Sequence, residues 1–147
     1  MKWFARLRTL FARWRRQLAL RRSLGARGER AAARLLRRRG YRIVARGFRL
    51  RDRGEIDLVA VDGRTVVFVE VKTRRGDARG RPAETVDARK QRRLTRLATA
   101  FLRRHDLLGC AARFDVVAVT WLADRGRPAI EHFPSAFEAV ELGRGAR

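Results

Sequence analysis

The sequence predicts a mixed α/β domain, a central sheet flanked by helices, with elements in the order α-β-β-β-α-β-β-α. Three observations carry that prediction. Three apolar, β-branched runs crowd into residues 41–73, and two of them meet at Asp62-Gly63, a dipeptide that favours a two-residue hairpin. Helical spacings of three and four residues precede and follow this block. A fourth strong strand run, ARFDVVAVTW at 112–121, comes only after the second helical stretch. At 147 residues one core suffices, and a hydrophobic content of 46% is enough to build it.

Residues 1–22, MKWFARLRTLFARWRRQLALRR, read as a separate basic amphipathic helix preceding a domain at 23–147. The segment holds eight basic residues and no acid, and Trp3, Leu7, Leu10, Trp14 and Leu18 recur at steps of three and four. Such a helix suits an anionic lipid surface, a nucleic-acid backbone, or docking on its own domain or a partner, and its residues leave all three open. A second helix is expected from Ser23, as N-cap, to about Arg39, with Gly40 ending it; Gly25 and Gly28 weaken its first turns. One stripe of it is Arg27, Arg30, Arg34 and Arg38, and another is Ala26, Glu29, Ala33 and Leu36. Glu29 is the only acid among the first 51 residues, and it falls on the apolar stripe.

The runs YRIVARGF (41–48), EIDLVAV (55–61) and TVVFVEVKT (65–73) read as strands, followed by a Gly- and Arg-rich loop at 74–81. Pro82 is placed to open a long helix reaching roughly His105. Beyond the strand at 112–121, a polar turn leads to a short strand near 129–133 and a last short helix over 135–142.

The net charge of +22 and a pI near 12 exceed what solubility requires and predict attraction to a polyanion, either nucleic acid or an anionic membrane surface. Without residues 1–22 there remain 29 basic and 15 acidic residues, net +14, so the domain itself is basic. The bland alternative is compositional drift towards arginine. Cys110 stands alone, which excludes an intrachain disulfide and fits a reducing cytosol; its small apolar neighbours suit packing rather than nucleophilic chemistry. No run approaches the roughly 18 apolar residues of a membrane span, and no apolar signal-peptide core follows the N-terminus. The expected location is the cytoplasm, at the nucleoid or peripherally at a membrane. His105 and His132 are lone histidines suited to surface or structural roles.

The chemistry concentrates in GEIDLVAVDGRTVVFVEVKTR, residues 54–74. Strand side chains alternate faces, so Val66, Phe68, Glu70 and Lys72 share one face while Val67, Val69 and Val71 share the other. Pairing through the hairpin brings Asp57 towards Glu70 and Lys72 at the end away from the turn. Mg²⁺ takes hard oxygen ligands, often one or two carboxylates plus phosphate oxygens, so Asp57, Glu70 and the Val71 carbonyl form a candidate metal site. A metal there polarises a phosphodiester and lowers the pKa of an attacking water, while Lys72 orients or deprotonates that water or neutralises developing charge. The chain has 34 arginines and three lysines, Lys2, Lys72 and Lys90, so a lysine beside Glu70 suggests that arginine does not serve there. Lys90 shares the stripe Val86, Leu94, Leu97 and Phe101, which should pack on the sheet at the edge of the site. The competing reading is a cross-strand ion network on a solvated face.

The segments G-x-x-G-E at 25–29, GEIDLVA at 54–60, VFVEVKTR at 67–74, Lys90-Gln91 and RFDVV at 113–117 resemble the YraN family of small bacterial proteins. That family is similar to the PD-(D/E)XK nuclease superfamily and to archaeal Holliday junction resolvases. The resemblance covers residues 23 to about 137 and implies the restriction-endonuclease-like core α-β-β-β-α-β. It implies Asp57 and Glu70 as ligands of Mg²⁺ or Mn²⁺, Lys72 as the catalytic lysine, Glu29 as the helix carboxylate completing the site, and Lys90 and Gln91 near it. Ile56 stands where the superfamily's name has a proline, and the segment 1–22 lies outside the resemblance. Arg27, Arg30, Arg74 and Arg75 are the expected nucleic-acid contacts, and the resolvase-like relatives suggest a homodimer. The expectation is a metal-dependent endonuclease acting on structured or branched DNA and leaving a 5′-phosphate. Its alternatives are a nucleic-acid-binding module with a weak site, or a peripheral membrane or partner-binding protein acting through residues 1–22.

Overall fold

A computed structural model of the chain describes residues 24–76, 86–123 and 126–142. The expected helix at 1–22, the Ser23 cap, most of the loop at 74–81 and Pro82 lie outside the described residues.

Helix α1 (Leu24–Arg38) presents Ala26, Gly28, Ala31, Ala32, Ala33 and Leu36 to the core. Small side chains let a helix backbone come close to a sheet, and Gly28 marks the closest approach. A Cβ there would fall 1.9 Å from Thr73 Oγ1. The helix ends as its sequence foretells: Gly40 is left-handed (φ +89), with Gly40 N–H donating to the Arg37 carbonyl and Tyr41 N–H to the Leu36 carbonyl, each at 3.0 Å. This paired arrangement satisfies carbonyls the helix would otherwise leave open.

Five strands follow in the sheet order β1-β2-β3-β4-β5: β1 (Arg42–Arg49), β2 (Glu55–Asp62), β3 (Thr65–Arg75), β4 (Ala112–Trp121) and β5 (Ala129–Phe137). All neighbours are antiparallel except β3 and β4, which run parallel because helix α2 (Ala88–Arg104) carries the chain across between them. Asp62 pairs with Thr65, so the hairpin loop is Gly63-Arg64, one residue later than Asp62-Gly63. Gly63 adopts φ +57, which its missing side chain permits.

The sheet separates two apolar layers. On one side α2 packs Leu94, Leu97, Ala98 and Phe101 against Val59, Val61, Val66, Phe68 and Val116. On the other, α1 packs its alanines and Leu36 against Leu58, Ala60, Val67, Val69, Val117 and Val119. Burying a side chain the size of Leu36 or Leu97 stabilises the fold by roughly 1.5–3 kcal/mol. This is the restriction-endonuclease-like α/β arrangement, with a fifth strand added at the β4 edge. None of the described helices is long and apolar enough to cross a membrane.

Two elements differ from expectation. Helix α2 begins at Ala88 rather than near Pro82, because Asp87 is extended (ψ 167) and caps it by accepting the Lys90 N–H at 2.8 Å. No helix forms over 135–142. The chain stays in β5 to Phe137, and residues 138–142 have no regular structure. The reason lies in fully buried Asp115, which accepts the Ser135 N–H at 3.0 Å and holds Ser135 at φ +50 in an irregular stretch of the β4–β5 ladder. Phe137 then stacks on Phe114, with centroids 4.8 Å apart.

Asp115 also receives Arg113 Nε at 3.0 Å and sits 2.8 Å from His132 Nε2. Arg39 approaches His132 Nδ1 at 3.0 Å, and a guanidinium only donates, so Nδ1 accepts and Nε2–H donates to Asp115. Burial alone would raise the Asp115 pKa; the bonds from His132, Ser135 N–H and Arg113 hold it below the ordinary carboxylate value. His132, its side chain 1% exposed, is thus a structural strut.

Candidate metal and phosphodiester site

The site forms where β2 and β3 part. Their ladder runs from Asp62↔Thr65 to Leu58↔Val69 and stops. At the next position Asp57 enters the gap with its side chain, and Oδ2 accepts the Val71 N–H at 2.7 Å. Alternation breaks here: Leu58 belongs to the α1-side core, whereas Ile56, two residues earlier, belongs to the α2-side core. A strand residue's N–H and C=O project to the same edge, so the Val71 carbonyl also faces the β2 side.

Glu70 continues the Val66 and Phe68 face and is buried at 6% exposure. Two lysines share its Oε1. Lys72 Nζ lies 3.2 Å away, and Lys90, reaching over from the first turn of α2, forms a second ion pair with the same atom. From the opposite layer α1 delivers Glu29. One carboxylate oxygen from each of Glu29, Glu55 and Asp57 lies within 4.8 Å of the others. Gly28 makes this reach possible, since it lets the turn carrying Glu29 rest against Thr73, the neighbour of Lys72.

The electrostatics follow from this crowding. Burial and the charge of Glu70 push the Asp57 carboxyl up to about 8; Glu29 adds to the rise, and the Val71 N–H and Lys90 oppose it. Burial and the adjacent Lys90 lower the Lys72 ammonium below its usual value, against the pull of Glu70. Burial, the largest single influence, would lower Lys90 as well, but its contacts with Glu70 and Lys72 and the charges of Glu70 and Asp57 together outweigh that, and the net shift is upward. The two ammonium groups thus differ in how readily each yields a proton.

The donor set suits a hard divalent cation. In an octahedral shell with bonds of 2.0–2.1 Å, neighbouring oxygens lie about 3 Å apart and opposite ones about 4 Å, and the three carboxylates each bring an oxygen within 4.8 Å of the others. Asp57, Glu29 and Glu55, with the Val71 carbonyl on the same edge, are the residues that would hold it. Glu70 is not in that group of three and is engaged by the lysines instead.

Of the residues singled out in the sequence, Glu29, Asp57, Glu70, Lys72, Lys90 and the Val71 backbone come together. Gln91 does not join them: its amide donates to the Val86 carbonyl at 2.9 Å and braces the start of α2. The guanidinium of Arg27 stacks over Trp121 at 4.8 Å, and Arg74 and Arg75 pair with Thr120 and Trp121, so these three gather at the end of the sheet beyond Lys72 and Thr73. Arg30 lies near the partly buried Arg46, whose pKa falls to about 10 through burial first and the surrounding arginines second. Glu55 was missed. Its position two residues before Asp57 was the one hint in the sequence, but the break in alternation at Asp57 means that period two alone does not bring the two acids together. Glu55 also pairs with Arg49. Gly54 before it is left-handed (φ +91), and Arg93 lies so close across it that a Cβ would fall 2.8 Å from Arg93 Cδ.

Fold and site together define a restriction-endonuclease-like domain with clustered carboxylates and lysines where two strands part. Residues 28–119 match the sequence model of the Uncharacterised protein family UPF0102, and the chain belongs to that family, the YraN family. A UPF0102 protein of Rhodopirellula baltica is 52% identical over 120 residues, covering 80% of this chain and 71% of that protein. A UPF0102 protein of Geobacter sulfurreducens is 51% identical over 115 residues, 78% of this chain and 88% of its own. One from Symbiobacterium thermophilum is 56% identical over 98 residues, 67% of this chain and 82% of its own.

Proposed function

We propose that the protein is a Mg²⁺- or Mn²⁺-dependent endonuclease that hydrolyses phosphodiester bonds in DNA, with branched or structured DNA as the favoured substrate. The observation that carries this reading is the convergence of Asp57, Glu29 and Glu55 beside Glu70 and two lysines, in a domain of high positive charge. A bound divalent cation supplies polarisation of a phosphoryl oxygen and a more acidic attacking water. The chain's own residues do the rest. Asp57, anchored by the Val71 N–H, keeps its carboxylate in the gap between strands. Lys72, its pKa lowered by burial and by Lys90, is suited to take a proton from the water or to neutralise charge on the phosphorane-like transition state. Arginine would do only the second. The basic residues at the end of β3 and on α1 offer phosphate contacts that position the backbone.

The test is incubation of the purified full chain with a four-way junction, a flap and a plain duplex, with and without Mn²⁺. Metal-dependent products are expected, and Asp57→Asn and Glu70→Ala should each lower the rate by at least about 10²-fold. The absence of products from wild type, indistinguishable from Glu70→Ala, would sink the nuclease reading. The pairing of two lysines with Glu70 Oε1 favours a second reading, a nucleic-acid-binding module that cuts poorly. It predicts junction binding with no metal-dependent product.

A further inference from the structure

Glu70 already has a cationic occupant. Lys72 and Lys90 both pair with its Oε1, while the three other carboxylates of the site cluster alongside. We infer that Lys90 is a built-in stand-in for the divalent cation at Glu70. Its ammonium holds that carboxylate in the absence of nucleic acid, competes there with the metal, and passes to a backbone phosphate oxygen when the substrate arrives. This rests on the metal-dependent nucleic-acid reading above and gives that site its regulation: metal and phosphate load together.

Four observations carry it. The first is the cost of an uncompensated buried charge. Glu70 is 6% exposed, so losing Lys90 without replacement is expensive, and the lysine leaves only when another cation comes in. The second is access. The side chains of Lys90 and Lys72 are 25% and 21% exposed, so both ammonium groups border the open side of the site and can turn towards an incoming anion. The third is the seat of Lys90. It is the third residue of α2, behind the Asp87 cap, and that first turn contains no acid. A helix N-terminus disfavours a cation, so the helix alone gives no reason for a lysine there; Glu70 does. The fourth is residue type. An arginine would grip the carboxylate with a planar fork, whereas a lysine is a point charge on a flexible stem that can exchange partners. The chain uses 34 arginines, and its lysines at this site are Lys72 and Lys90.

Such competition is reciprocal: whatever draws Lys90 away from Glu70 strengthens metal binding by the factor with which metal strengthens phosphate binding. The test measures Mn²⁺ binding by the full-length protein, without DNA and with a non-cleavable phosphorothioate duplex. Lys90→Met should bind Mn²⁺ more tightly than wild type without DNA, by about 5- to 150-fold. The duplex should tighten Mn²⁺ binding to wild type by a comparable factor and to Lys90→Met far less. Lys90→Arg, which keeps the charge, should stay near wild type or bind more weakly. Lys90→Gln provides a second neutral variant, and thermal unfolding of each establishes that it folds. Two folded neutral variants that bind Mn²⁺ no tighter than wild type, while Asp57→Asn abolishes binding, would overturn the inference and leave the metal site standing. Mn²⁺ binding indifferent to both Asp57→Asn and Glu70→Gln would remove the metal site, and this inference with it.

Discussion

Asp57 decides what the site can be. It occupies the place of a rung that the β2–β3 ladder does not make, and its carboxylate takes the Val71 N–H that the rung would have used. Its carboxyl is pushed up to about 8 by burial and then by Glu70, so at neutral pH it tends to hold a proton until a cation arrives. Two consequences follow with opposite signs. Metal binding requires the ionised form, so Mn²⁺ affinity should rise about tenfold per pH unit up to about 8 and then level off, as a titration calorimeter can read. Folding without metal favours the protonated form, because the folded value lies above the unfolded value of about 3.9. Stability of the metal-free protein should therefore fall as pH rises from roughly 4 to about 8 and change little beyond, and Asp57→Asn should lose that slope in melting curves taken with a chelator. At this scale much was legible. Asp57, Glu70 and Lys72 are polar residues breaking apolar strand runs, and a lysine in an arginine-writing chain draws notice. Glu55 was not, because an acid at the first position of a strand, beside a polar turn, looks like any solvated strand end.

Each surrounding element brings one group to that gap. Helix α1 brings Glu29, and it does so through Gly28, whose missing Cβ leaves room for Thr73. Gly28→Ala should cost about 1–3 kcal/mol in urea unfolding and weaken Mn²⁺ binding by shifting Glu29 outward. Adding Thr73→Ala should restore only part of both, since Thr73 Cβ itself would still lie 3.0 Å from the new methyl group. Read along the sequence, Gly28 is merely a poor helix former; its meaning depends on a residue in a strand that the chain reaches only after β1 and β2. The start of α2 was misplaced for a related reason. Pro82 is a good first helical residue in isolation, but Asp87 holds an extended conformation and caps the helix later. The segment AFEAV reads as helix by local preference, yet Asp115 on the neighbouring strand ties the Ser135 backbone into β5. The strands themselves, and the Gly40 stop of α1, were legible because period-two patterning and a left-handed glycine are local signals.

The whole molecule is a basic body around an acidic gap. Part of its +22 charge lies on the two helices: α1 carries Arg27, Arg30, Arg34, Arg37 and Arg38, and α2 carries Arg89, Arg92, Arg93 and Arg96 on exposed turns. If phosphate contacts dominate DNA binding, affinity should drop about 10³-fold or more between 50 and 200 mM salt, with a similar slope for wild type and Glu70→Gln, in a fluorescence anisotropy titration. A flat salt response would assign the charge to some other partner. The acidic gap makes the sharper claim, and an anomalous-diffraction map of the crystalline protein with Mn²⁺ reads it directly. A peak is expected within bonding distance of Asp57, shared with Glu29 or Glu55, on the edge of β3 that presents Val71, with Glu70 freed from Lys90 to face it. A map with no peak at Asp57, and Lys90 still paired with Glu70 at saturating Mn²⁺, would contradict the account.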